Sequence, residues 1–158
     1  MTRPLRILLV ASASCAVAWH AAAAQTSHSH IGAHVLTNTT DNTWGLGLQY
    51  STPVGRHLEF YPSFDDYSRN YGVNTWDLNA DIKYRASGHG YDWLYVGTGF
   101  NLRHQSVGPV VDDQGGWNVF TGIESIRGVV HPFGEMRLVL ADRSRFQVQG
   151  GVNITIGR

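Results

Sequence analysis

Between Thr75 and Tyr84 every residue obeys a period of two. Trp76, Leu78, Ala80, Ile82 and Tyr84 share one parity; Thr75, Asp77, Asn79, Asp81 and Lys83 share the other. A helix repeats its faces every ~3.6 residues and cannot carry this pattern, whereas a strand with one apolar and one polar face can. The stretch from Phe146 to Gly157 behaves alike, with Phe146, Val148, Val152, Ile154 and Ile156 opposite Gln147, Gln149, Asn153 and Thr155.

Six further runs alternate, bounded by Gly, Asn, Asp and Pro. They are His30–Thr37, Thr43–Ser51, His57–Phe64 (shortened or bulged at Pro62), Trp93–His104, Gly116–Ile126 and Phe133–Asp142. The chain of 158 residues is long enough for one domain. The expected fold is all-β: an eight-stranded antiparallel up-and-down transmembrane β-barrel from about His30 to Ile156.

Alternation alone does not say which face meets water. The polar rows hold Glu59, Asp77, Asp81, Lys83, Arg103, Glu124, Glu135 and Arg137 in mid-strand, interleaved with Gly45, Gly47, Gly97, Gly99, Gly122 and Gly151. Facing water, glycine is a poor choice, because exposed strand positions favour Thr, Lys or β-branched residues. Facing inward it has a use. The bore of an eight-stranded barrel is only just wide enough for side chains, so long charged residues need small neighbours and pair with one another. The apolar rows lack mid-strand charge. They set Trp44, Tyr50, Trp76, Tyr84, Trp93 and Trp117 mostly near strand ends, where interfacial girdles lie. The polar rows are therefore expected inside and the apolar rows against lipid. A soluble periplasmic lipocalin-like ligand-binding barrel writes the same pattern inside out and is the alternative.

Residues 1–24 read as a secretory signal peptide. Arg3 and Arg6 form a basic start, Ile7–Trp19 an apolar run, and Ala21–Ala24 a small-residue cleavage site. The barrel domain then comprises residues 25–158. Cys15, the only cysteine, falls within the leader, so the mature chain has no disulfide or thiolate chemistry. Without Arg3 and Arg6, ten Lys+Arg face twelve Asp+Glu, a formal net charge of −2. That balance argues against a nucleic-acid partner.

Connections differ in length between the two ends, although the first and seventh, TNTTDN and ADRSR, are short for surface loops. TPVG, ASGHGY and GVVH follow strands two, four and six, and read as short periplasmic turns. Asp65–Gly72 and Gln105–Gly115 read as longer surface loops.

Together the leader, the size and the alternating strands resemble the small outer-membrane β-barrel family that includes OmpX-like and opacity-like proteins. The run from Pro132 to Leu140, followed by a charged turn and Phe146–Gly157, is similar to that family's closing hairpin. Gln149, Gly151, Ile154 and Ile156 resemble its barrel-assembly signal, although the chain ends Ile156-Gly157-Arg158 rather than in an aromatic. The resemblance implies residence in the bacterial outer membrane, with lipopolysaccharide, other outer-membrane lipids and the barrel-assembly machinery as partners. The expected role is non-enzymatic, structural or surface-interacting through the two longer loops, with the interior plugged by side chains.

Two constellations could carry chemistry. His28, His30 and His34 share a parity and are a possible metal set, but no carboxylate stands at a matching spacing. His104 and Ser106 lie outward at the loop side, and their His-x-Ser spacing resembles outer-membrane lipid A deacylases. A carboxylate to orient His104 is not evident among neighbouring outward positions, and Val107 follows the serine where that family has Asn. Solvated termini and a fraying strand account for both, so no catalytic, cofactor or metal residue is assigned, and a lipid A-modifying enzyme is the lesser alternative.

Overall fold

The computed structural model describes residues 28–68, 72–86 and 92–157. The predicted signal peptide lies outside them. Eight strands follow in chain order: β1 (Ser29–Asn38), β2 (Thr43–Pro53), β3 (Leu58–Tyr67), β4 (Asn74–Arg85), β5 (Leu94–Val107), β6 (Val110–Glu124), β7 (Val130–Leu140) and β8 (Arg145–Ile156). Each pairs antiparallel with the next. β8 returns to β1, with Ala33 opposite Val152, and closes the barrel. Closure leaves no sheet edge around the wall, which satisfies the backbone where no water is available.

Every strand alternates between buried and exposed residues along most of its length, and the buried row is the polar one. All eight charged residues expected inside are there, Glu59 only partly covered and the others buried. The outer face carries Leu46, Leu48, Leu78, Val96, Phe100, Val119, Met136, Leu138 and Val152, all exposed. Trp44 and Trp117 ring the loop end together with Trp76; Tyr50, Tyr84 and Trp93 ring the turn end. An apolar wall between two aromatic girdles around a polar interior is the surface of a membrane-spanning barrel. No helix among the described residues is long and apolar enough to cross a membrane.

The inward glycines make room as expected, but chiefly for rings. A Cβ on Gly97 would collide with the Phe120 ring, one on Gly122 with the Tyr95 ring, and one on Gly47 with His34. Gly99 gives the same clearance to Asp81.

Both predicted long loops need correcting. Asp65, Asp66 and Tyr67 belong to β3, and Asp65 and Tyr67 continue its inward row. Gln105–Gly115 is no loop. β5 and β6 pair from Leu94↔Ile123 up to Val107↔Val110, joined by Gly108-Pro109. Gly108 takes φ 57° and proline follows it, the arrangement of a two-residue type II′ turn, whose twist suits a hairpin.

Candidate functional site

The interior is a stack of ion pairs and rings. Nearest the turn end, Lys83 and Arg85 share Glu59 and Glu124. Lys83 Nζ lies 2.9 and 3.3 Å from their carboxylates, and Arg85 reaches them at 3.0 and 2.6 Å. Ser51 donates to Glu59 at 2.5 Å and Asn153 to Glu124 at 2.6 Å. Such an arrangement satisfies the buried charges with one another, the condition under which they are tolerated.

Next come Tyr61, Tyr95 and Phe120, packed together. Lys83 Nζ sits 4.6 Å from the Tyr61 ring and the Arg137 guanidinium 4.6 Å from Phe120, within cation–π range. Arg137 bridges Asp81 at 2.8 Å and Glu135 at 3.0 Å. The Tyr95 hydroxyl and Gln149 also donate to Glu135.

Toward the loops, Asn79 donates to Asp65, and Asn101 and Asn118 donate to Asn79. Arg103 grips Asp77 through two hydrogen bonds, 2.7 and 2.9 Å, and reaches Asp41 at 3.0 Å. Arg145, absent from the expected interior set, is buried one step before the predicted start of β8 and donates to Asn101 at 2.9 Å. The parity of Gln147 and Gln149 extended by one step would have found it, as the parity of Ser63 would have found Asp65.

Of the three histidines, His34 stands apart from the other two. The His34 ring meets Asp65 at 2.8 Å. The His30 ring stands edge-on to His131, centroids 5.0 Å apart, at a turn-end cavity of about 460 Å³ that His28 also lines. His131 Nδ1 donates to the Ser125 carbonyl at 2.7 Å, which leaves Nε2 to accept from the Thr155 hydroxyl at 2.8 Å. Among the described residues no group of three or more His, Cys, Asp or Glu is placed to hold a metal.

The loop end is dominated by the β5–β6 arm. β4 accompanies β5 as far as Asn74↔Ser106, but β7 leaves β6 at Leu140↔Trp117. Val110–Gly116 therefore pairs with β5 alone. At the foot of the arm the Trp76 ring stacks on His104, centroids 4.8 Å apart. His104 Nδ1 meets Asp113 Oδ1 at 2.6 Å, across the pair His104↔Asp113. The carboxylate not evident from the sequence is thus supplied by β6, and only the register of the hairpin reveals it. Ser106 lies two residues along the same strand, and no hydrogen bond joins it to His104.

No family model matches the chain, and no curated protein matches it in sequence. Solved structures do match. The N-terminal β-barrel domain of OprF from Pseudomonas aeruginosa aligns with TM-score 0.64 at 14% identity, over 81% of this chain and 96% of that one. Neisserial surface protein A, NspA, aligns with TM-score 0.59 at 15% identity, over 82% and 98%. Both likenesses are of fold.

Proposed function

We propose that this chain is a bacterial outer-membrane protein of the small eight-stranded kind, with a non-enzymatic surface-interaction role exercised by the β5–β6 arm. The observation that carries the reading is the arm itself. Elsewhere at this rim the connections described throughout are short, whereas β6 runs from Val110 to Gly116 beyond its last paired residue with β7. A membrane anchor alone has no need of such an extension, and interaction sites concentrate on segments carried by a rigid scaffold. The outer membrane is favoured because closed barrels with an apolar wall and an aromatic girdle at each end are built there. One fold relative is itself named a surface protein. Outer-membrane lipids and lipopolysaccharide are the expected partners of the wall, and the barrel-assembly machinery the expected partner in folding. The Tyr61–Tyr95–Phe120 layer and the ion pairs on either side act as a plug, so the barrel serves as a scaffold rather than a channel.

Replacing residues 104–113 by Asn-Gly, which keeps Arg103 opposite Gln114, removes the arm and spares the wall. Cells displaying the trimmed barrel should lose whatever adhesion to protein-coated surfaces the intact barrel confers, with the folded gel band retained. Equal adhesion with and without the arm would refute the surface role.

A second reading has one specific observation behind it, the 2.6 Å contact between His104 and Asp113 with Ser106 nearby. An oriented histidine beside a serine is the beginning of an acyl-transfer site, and its place at the outer rim suits lipid A as substrate. Mass spectrometry of lipid A decides it. An acyl chain lost only when the gene is present, and restored by Ser106→Ala, would replace the non-enzymatic reading.

A further inference from the structure

Every second N–H and C=O of a strand points to the side away from its partner. Along Val110–Gly115 no strand among the described residues pairs with that side, because β7 ends its pairing at Leu140↔Trp117 and the loop from β7 to β8 has only residues 141–144. At a rise of about 3.3 Å per residue the unpaired stretch is about 17 Å long, enough for a strand of ordinary length to lie beside it. Natural proteins commonly blunt such an edge with charged side chains, above all lysine, with proline or with a bulge. Here the edge is straight and carries valine and aspartate.

Its formal charge is one-sided, for Val110–Gly116 holds no Lys or Arg, although Asp113 also meets His104 at 2.6 Å and Asp112 accepts from Gln114 at 2.8 Å. Asp112 and Asp113 are consecutive and exposed, one on each face of the ribbon, and Asp142 is exposed in the loop at its foot. The one arginine of that loop, Arg143, leans away to Asp41 at 3.5 Å. Val110 and Val111 follow toward the tip, 66% and 56% exposed.

From this edge and its charge we infer that β6 takes up an extended basic segment of another molecule by antiparallel strand addition, and that the segment presents two adjacent basic residues followed by two β-branched ones. Running antiparallel from Gly116 toward Val110, such a strand sets a cation opposite Asp113, a second opposite Asp112 on the other face, and apolar side chains opposite Val111 and Val110. Main-chain bonds supply the attachment and the alternating side chains the selectivity. A second copy of this chain does not fit the same edge in the two registers centred on the acidic pair. Two β6 strands paired about Asp113 oppose it to its twin, and pairing about the Asp112–Asp113 bond opposes each to the other, which is destabilising directly across a sheet. The inference rests on the surface role of the arm and specifies its partner.

The test uses the full-length protein folded in detergent micelles and a fluorescent blocked peptide of about ten residues carrying two lysines and then two valines. At low ionic strength its anisotropy should rise to saturation. Affinity should fall about tenfold or more in the Asp112→Asn/Asp113→Asn double variant, and equally when the two lysines become glutamates. A peptide with alternate backbone amides methylated, which keeps its charge but cannot form the ladder, should not bind. If the methylated peptide binds as well as its parent, charge attraction without strand addition is the answer and the inference falls. It falls too if the double variant binds undiminished. Should trimming of residues 104–113 abolish adhesion while the peptide fails to bind, the surface role stands and only the partner's chemistry is wrong.

Discussion

Arg137→Ala should lower the stability of the folded barrel by about 3–5 kcal/mol, the usual cost of removing one partner from a buried ion pair. The guanidinium lies in the bore at 1% exposure, 2.8 Å from Asp81 and 3.0 Å from Glu135, with its face on Phe120. Its loss strands two carboxylates that are themselves buried. Glu135 keeps its bonds from Tyr95 and Gln149, and Asp81 keeps one from Asn118, but none of these donors is a cation. Arg137→Lys should recover part of the loss, since a point charge answers one carboxylate better than two. Arg143→Ala is the internal control. That side chain is 73% exposed and touches Asp41 only at 3.5 Å, so the change should stay below about 0.5 kcal/mol. The temperature at which the folded gel band gives way to the unfolded one ranks all three variants. An Arg137→Ala barrel as heat-resistant as the parent would mean that water already solvates this row.

The second large effect is expected on the opposite face. Ala80 is exposed on β4, midway between the girdle residues Trp76 and Tyr84. Ala80→Arg adds a charge to the wall without displacing any interior group. At the bilayer midplane it should cost about 2–4 kcal/mol, while Thr37→Arg, near the loop-side rim of β1, should cost only about 0–1 kcal/mol. Urea titrations of the barrels in lipid vesicles measure both. A wall surrounded by water would accept arginine equally at either depth, because exposed strand positions tolerate long polar side chains.

Parity made most of this architecture legible. The rows of β4 and β8 could be assigned residue by residue, and the glycines on the polar rows placed those rows inside. Strand ends were harder to see, because polar residues that continue an inward row look like loop. Asp65 and Tyr67 were hidden in this way in DDYSRNYG, and Arg145 just before Phe146. QSVGPVVDDQGG misled for a related reason. Its glycines, proline and aspartates suggest a flexible loop, yet Gly108-Pro109 is a hairpin turn flanked by β-branched valines. Once that turn is fixed the register follows, and with it the contact between His104 and Asp113. The occupants of the glycine gaps were beyond reach from one strand at a time. Phe120 over Gly97 and Tyr95 over Gly122 depend on the pairing of β5 with β6.

The apolar row facing lipid is the claim on which everything else depends, and it can be measured directly. Nitroxide labels on single cysteines replacing Trp76, Leu78, Ala80, Ile82 and Tyr84 in turn, in a barrel reconstituted in lipid bilayers, report their collisions with oxygen and with a water-soluble nickel complex. A lipid-facing row gives an oxygen-to-nickel ratio that climbs from both girdles to a maximum at Ala80, where the bilayer is driest. A flat profile with strong nickel collisions at Leu78, Ala80 and Ile82 would place this row in water, and a profile closed to both reagents would place it in a dry protein core. Either result would contradict the membrane-spanning barrel.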